Sequence, residues 1–130
     1  DLHAQGVKTI IVDMHAEATS EKLAFARYLD GKVSAVIGTH THIPTADAQI
    51  LPEGTAYQTD VGMVGPVDSV IGMKVEASIN RFLTQRRVKF QQSEDDAFLF
   101  QAVLLEIDGD GRAQHIERID KRMTIERTRI

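Results

Sequence analysis

Val33-Ser34-Ala35-Val36-Ile37-Gly38-Thr39-His40-Thr41-His42 is the stretch that decides how the chain is read. Its first five residues form a short apolar, β-branched run. That run reads as a buried strand, with Gly38 marking its end. Two histidines one residue apart then stand at the strand's carboxyl end, followed by Ile43-Pro44. Ligands of open α/β sheets bind at that end. In extended chain, residues i and i+2 point the same way. Both imidazoles can therefore reach one point, or two neighbouring ones.

Working back, residues 7–14 form an earlier apolar, β-branched run without polar alternation. This suits a strand covered on both faces. His15 stands at its end. Thr19-Ser20-Glu21 offers a helix start, with an N-cap hydroxyl and an acid in the first turn. Leu23, Phe25, Ala26 and Leu29 carry the apolar positions, and Gly31 suits the residue after the helix. The whole makes a βαβ unit of crossover length. Its two strands would be parallel, which brings His15 to the same rim as His40 and His42. Three neutral imidazoles there make a site for Zn, Mn or Fe. A single strand-end histidine is more often a hydrogen-bonded loop residue. It is the His-x-His spacing joined to His15 that favours a metal. Asp13 is placed to orient an imidazole, or else caps a loop. Glu17 reads as a helix-entry charge, with contact to substrate or metal-bound water as the alternative.

Working forward, residues 48–51 and 55–59 flank Pro52-Glu53-Gly54 as a hairpin. Asp60 follows and is a candidate to support the site. Gly62 and Gly65 mark an irregular loop. Residues 74–84 have helical spacing at Val75, Ile79, Phe82 and Leu83. Arg86 and Arg87 suit that helix's dipole. Residues 88–91 alternate as an edge-type strand, and residues 97–107 and 113–119 read as two longer strands. Asp108-Gly109-Asp110-Gly111 joins those two as a turn. An EF-hand is excluded there, because the twelfth loop position is Ile119 rather than Glu. Residues 1–6 read as a helix tail ended by glycine, and residues 121–129 as a charged tail.

Three motifs carry a resemblance. They are residues 13–22, residues 38–47, and Thr59-Asp60-Val61-Gly62-Met63-Val64-Gly65-Pro66. Together they resemble the YmdB-like metallophosphoesterases, a branch of the calcineurin-like phosphoesterase superfamily. The likeness runs from about Gly6 to the C-terminal strands. Met14 departs from it, standing where a bulkier aromatic is expected.

The resemblance implies an α/β fold, as the C-terminal half of a four-layer α/β/β/α sandwich with mixed sheets. Residues 1–130 would be a single domain or half-domain of it. It also implies a phosphodiesterase acting on 2′,3′-cyclic nucleotides or related phosphodiesters. Two divalent or trivalent metal ions, Fe or Mn and alternatively Zn, would hold a bridging hydroxide for in-line attack. His15 and His40 would ligate one ion and His42 the other. The family's other ligands and its general acid match nothing here and belong to a preceding half. The chain alone is therefore expected to be inactive, and to associate with that half or with a second copy. The competing expectation is a regulatory module that binds metal or nucleotide without turnover.

Composition agrees with a globular domain: 42% of residues are hydrophobic and 26% charged. There is no cysteine, which excludes disulfides and thiolate ligands and is compatible with the cytoplasm. The net charge of −4 disfavours duplex nucleic acid. A small anionic phosphodiester stays compatible, because bound cations reverse the local sign. No apolar run approaches the ~18 residues of a membrane helix. Neither a nucleophile elbow nor a P-loop is present.

Overall fold

The computed structural model describes residues 2–125. The chain is mixed α/β, with two sheets and two α-helices. Strand β1 (Ile11–His15), helix α1 (Thr19–Leu29) and strand β2 (Ala35–Thr39) form the expected βαβ unit. β1 and β2 are parallel, with His15 opposite Thr39. β3 (Gln49–Ile50) and β4 (Ala56–Gln58) are the expected antiparallel hairpin, and β4 runs parallel to β2. The first sheet has the order β1-β2-β4-β3. β5 (Val64–Pro66), β6 (Ala97–Ile107) and β7 (Ala113–Thr124) make the second. Helix α2 (Val75–Thr84) lies between β5 and β6 in sequence.

Packing divides the chain into two compact units, residues 1–62 with 102–119, and residues 63–101 with 120–130. In the first, the alternation of strand side chains sorts two apolar layers. Val36, Tyr57 and Leu51 pack with Ala26, Phe25 and Leu29 of α1 on one face of the sheet. On the other face, Ala35, Ile37 and Ala56 pack with Val103 and Leu105 of β6 and Ala113 and Ile116 of β7. A helix layer, a sheet layer and a second strand layer are thus stacked in this unit. Each fully buried Val or Leu here contributes on the order of 1.5–3 kcal/mol.

In the second unit, β5 pairs antiparallel with residues 98–100 of β6. α2 keeps the expected helical spacing. Its Phe82 and Leu83 are nonetheless each 80% exposed.

Several local expectations are corrected. β1 begins at Ile11 rather than residue 7, and it is not covered on both faces. It is the outer strand of its sheet, and Ile11 is 57% exposed. Thr19 is not the N-cap of α1. Ala18 takes that place in extended geometry, with no side-chain bond. Residues 88–91 form no strand, and only Gln92 bridges to Met73. β7 continues past residue 119 to Thr124. The helix tail at the start is a single 3-10 turn, His3–Gln5, ended by Gly6 at φ 81°. Of the charged tail, residues 126–130 lie outside the described residues.

Gly38 does not end its strand but lies inside β2. A Cβ there would stand 1.6 Å from the carbonyl oxygen of Thr59. The glycine is required by close approach of backbone, not by a turn.

Candidate metal centre

Thr39 is the last residue of β2, and the chain then bends sharply. His40 has φ 107° and His42 φ 65°. The alternation argument for two extended residues therefore does not hold at this loop. A non-glycine residue at such φ costs on the order of 1–3 kcal/mol and persists only where its surroundings enforce it.

The bend delivers His40 to His15. Their ring centroids are 4.8 Å apart with the planes at 85°. His15 Nε2 and His40 Nδ1 are 3.0 Å apart. Both rings are oriented from their far sides. The Thr39 hydroxyl donates to Asp13 at 2.7 Å. Its only proton is thereby used, so it accepts from His15 Nδ1–H at 3.0 Å. His15 Nε2 consequently carries a lone pair. On the other ring, His40 Nε2–H donates to the Glu17 carboxylate at 2.6 Å. In the neutral ring His40 Nδ1 carries a lone pair as well. With both rings neutral, two lone pairs face each other across 3.0 Å, a gap that one added proton or a metal ion would bridge. That separation also matches two donors on one ion, whose nitrogens at about 2.1 Å from it lie roughly 3.0–3.4 Å apart.

The expected site residues are distributed as follows. His15 and His40 come together, with Asp13 and Glu17 behind them. Asp13 acts through Thr39 rather than on an imidazole directly, and Glu17 orients His40. His42 is exposed, two residues further along the bend. Among the described residues, no three His, Asp or Glu side chains close around a common point.

Asp60 lies beneath the loop, fully buried, and so does Lys22, which the sequence offers no reason to place inside. They form an ion pair at 2.9 Å. Asp60 also accepts from the Thr41 and Gly62 N–H groups, each at 2.9 Å. Lys22 also donates to the Thr39 carbonyl at 2.7 Å. Burial alone would raise the pKa of Asp60, but the Thr41 N–H, the Lys22 ammonium and the Gly62 N–H outweigh it and hold it below the ordinary carboxylate value. Burial is likewise outweighed at Asp47, by hydrogen bonds from Thr45 and Thr59.

The sign of the resulting pH dependence is fixed. Carboxyls with depressed folded pKa values contribute stability above their unfolded pKa and lose it as pH falls through the folded one. The melting temperature is therefore expected to hold down to about pH 4 and to fall progressively below it. Thermal melts from pH 7 to pH 2 check this, and a melting temperature that rises in acid contradicts it.

Comparison with known proteins decides the family. The model of the YmdB-like protein family matches residues 1–119. The chain belongs to that family. Among curated relatives, this YmdB-like chain is 54% identical over 110 residues to a 2′,3′-cyclic-nucleotide 2′-phosphodiesterase of Bacillus subtilis, covering 85% of this chain and 42% of the relative. A solved structure of a phosphatase from Mycoplasma pneumoniae is similar with a TM-score of 0.84 and 43% identity, over 90% of this chain and 42% of that one. A hypothetical protein from Thermus thermophilus matches with a TM-score of 0.82 and 49% identity, over 88% of this chain and 45% of the other. The YmdB-like chain thus spans less than half the length of these relatives. No helix among its described residues is long and apolar enough to cross a membrane.

Proposed function

We propose that this chain supplies the histidine side of a two-metal phosphodiesterase centre, in a protein of its relatives' length. The observation that supports the reading is the approach of His15 Nε2 and His40 Nδ1 to 3.0 Å, with the other nitrogen of each ring engaged by Thr39 and by Glu17. His15 and His40 would hold one ion and His42 would contribute to a second, with Fe or Mn as the first candidates and Zn as the alternative. Bound there, the ions supply positive charge that polarises a phosphoryl oxygen and acidifies water. The substrate is a small phosphodiester of the 2′,3′-cyclic nucleotide class, the class named for the Bacillus subtilis relative.

The chain's own residues do the following. Asp13 and Thr39 fix the tautomer of His15, so that Nε2 is unprotonated and points at the centre. Glu17 does the same for His40, freeing Nδ1. Such outer partners also raise ligand basicity. Among the described residues, none is assigned to protonate a leaving oxygen. A general acid from elsewhere in the protein completes the reaction.

The test is calorimetric titration of the metal-free full-length protein with Mn2+, followed by incubation with a 2′,3′-cyclic nucleotide. Metal uptake with cleavage is the expected result. Uptake with the nucleotide left intact would replace this reading with the non-catalytic binding module. Absence of uptake would remove both.

The role of Thr39 gives a sharper expectation. Thr39→Val keeps the shape of the side chain but removes the link between Asp13 and His15. Metal affinity should fall about 10–100-fold. Titration of this variant beside the parent checks it, and equal affinities would show that Asp13 has no hold on the ligand.

A further inference from the structure

We propose that Lys22 and Asp60 are a positioning pair for His40, clamping the peptide groups on both sides of it so that Nδ1 is presented to His15. The inference takes its consequence from the proposed metal centre, but its geometry stands without it.

The clamp has two arms. Lys22 Nζ donates to the Thr39 carbonyl at 2.7 Å, which fixes the peptide plane before His40. Asp60 Oδ2 accepts from the Thr41 N–H at 2.9 Å, which fixes the plane after it. Peptide groups are rigid planes, so holding both sets φ and ψ of the residue between them. That residue is His40, at a φ of 107° that it would not adopt unaided. The arms are locked to each other by the 2.9 Å ion pair. They also tie three elements together. Lys22 comes from the first turn of α1, the Thr39 carbonyl from the end of β2, and Asp60 from just beyond β4.

Space for the clamp is provided by Gly38. A Cβ there would come within 3.0 Å of Lys22 Cδ, in addition to its clash with Thr59. The lysine stem lies where a side chain at position 38 would be.

Stability alone is a weak reason for the pair. Both side chains are completely out of water. Two apolar residues of similar volume stabilise a fold as well as such a pair, or better. What apolar residues lack is a donor for the Thr39 carbonyl and an acceptor for the Thr41 N–H. With those two bonds lost, the loop can relax and turn the His40 ring away from His15.

The experiment uses full-length protein with Lys22→Met and with the double substitution Lys22→Met/Asp60→Asn. Lys22→Met leaves a buried carboxylate unpaired and will lower the melting temperature. The double variant is neutral at both positions and breaks the Thr39 arm, while the one acceptor oxygen of the introduced amide can still serve Thr41, so most of the melting temperature should recover. Two readouts then separate positioning from mere structure. In metal-free protein, nitrogen–proton correlation spectra of the imidazoles should show His40 as a single Nε2–H tautomer in the parent and as a mixture in the double variant. By calorimetry, Mn2+ affinity in the double variant should stay at least about tenfold below the parent despite the recovered fold. Recovery of tautomer and affinity together with melting temperature would overturn the proposal. Should the parent itself take up no Mn2+, the metal reading fails and the spectra alone decide: a mixed tautomer upholds the clamp, an unchanged spectrum overturns it.

Discussion

Replacing His40 with alanine in the full-length protein is expected to lower phosphodiester turnover by more than about 100-fold. That exceeds the 10–100-fold typical of a residue that only supports a ligand. Metal content should fall with it. The ground is the position of Nδ1, 3.0 Å from His15 Nε2, while the opposite nitrogen is engaged by Glu17. Alanine removes a donor from the centre and leaves the exposed Glu17 carboxylate to water. The fold should be little affected, because His40 lies in an exposed loop and alanine, which also carries a Cβ, meets the same positive φ. Turnover with a cyclic nucleotide and metal analysis of the purified variant check this. Near-parental activity with full metal occupancy would remove His40 from the centre.

The second large effect is expected at Gly38. An alanine Cβ would stand 1.6 Å from the Thr59 carbonyl oxygen and 2.6 Å from its carbon. Neither can give way easily. Both belong to backbone at the carboxyl end of β4, where the Gly38 carbonyl accepts from the Val61 N–H at 2.9 Å. Relief requires β2 and β4 to separate where they leave the sheet, a rearrangement expected at the upper end of the roughly 1–3 kcal/mol typical of overpacking. Gly38→Ala should therefore unfold at a markedly lower denaturant concentration than the parent. It should also lose metal affinity, because the same shift displaces Thr39 and Lys22. Denaturant titration checks the first and calorimetry the second. A midpoint equal to the parent's would mean that the strands can part without cost.

Much of this arrangement was legible in the residues. The apolar runs before His15 and His40, the helix between them and the Pro-Glu-Gly turn gave the parallel βαβ unit and the hairpin. Period and turn chemistry are local signals. Gly38 was visible but misread, since a glycine at a strand end and a glycine under a neighbouring backbone look alike in one dimension. Residues 88–91 alternate like a strand, yet alternation supplies no partner strand, and the pairing there is limited to the Lys74 N–H on the Gln91 carbonyl and the Met73–Gln92 bridge.

At the site, His15 and His40 announced themselves by type and spacing. Their tautomers did not, because these are set by Asp13, Thr39 and Glu17 from three different segments. Lys22 and Asp60 were the hardest to see. A lysine in an amphipathic helix ordinarily reads as solvated, and its partner lies 38 residues away. The one hint was Gly38, whose missing side chain leaves room for the lysine stem.

The central claim is that His15 and His40 donate to one ion. Metal-edge X-ray absorption of the iron-loaded full-length protein tests it most directly, with the parent compared against the His15→Ala/His40→Ala double variant. The expected result is imidazole scattering from nitrogens at about 2.1 Å in the parent, lost or strongly reduced in the double variant. The same imidazole signal in both proteins would place the ion elsewhere and contradict the claim.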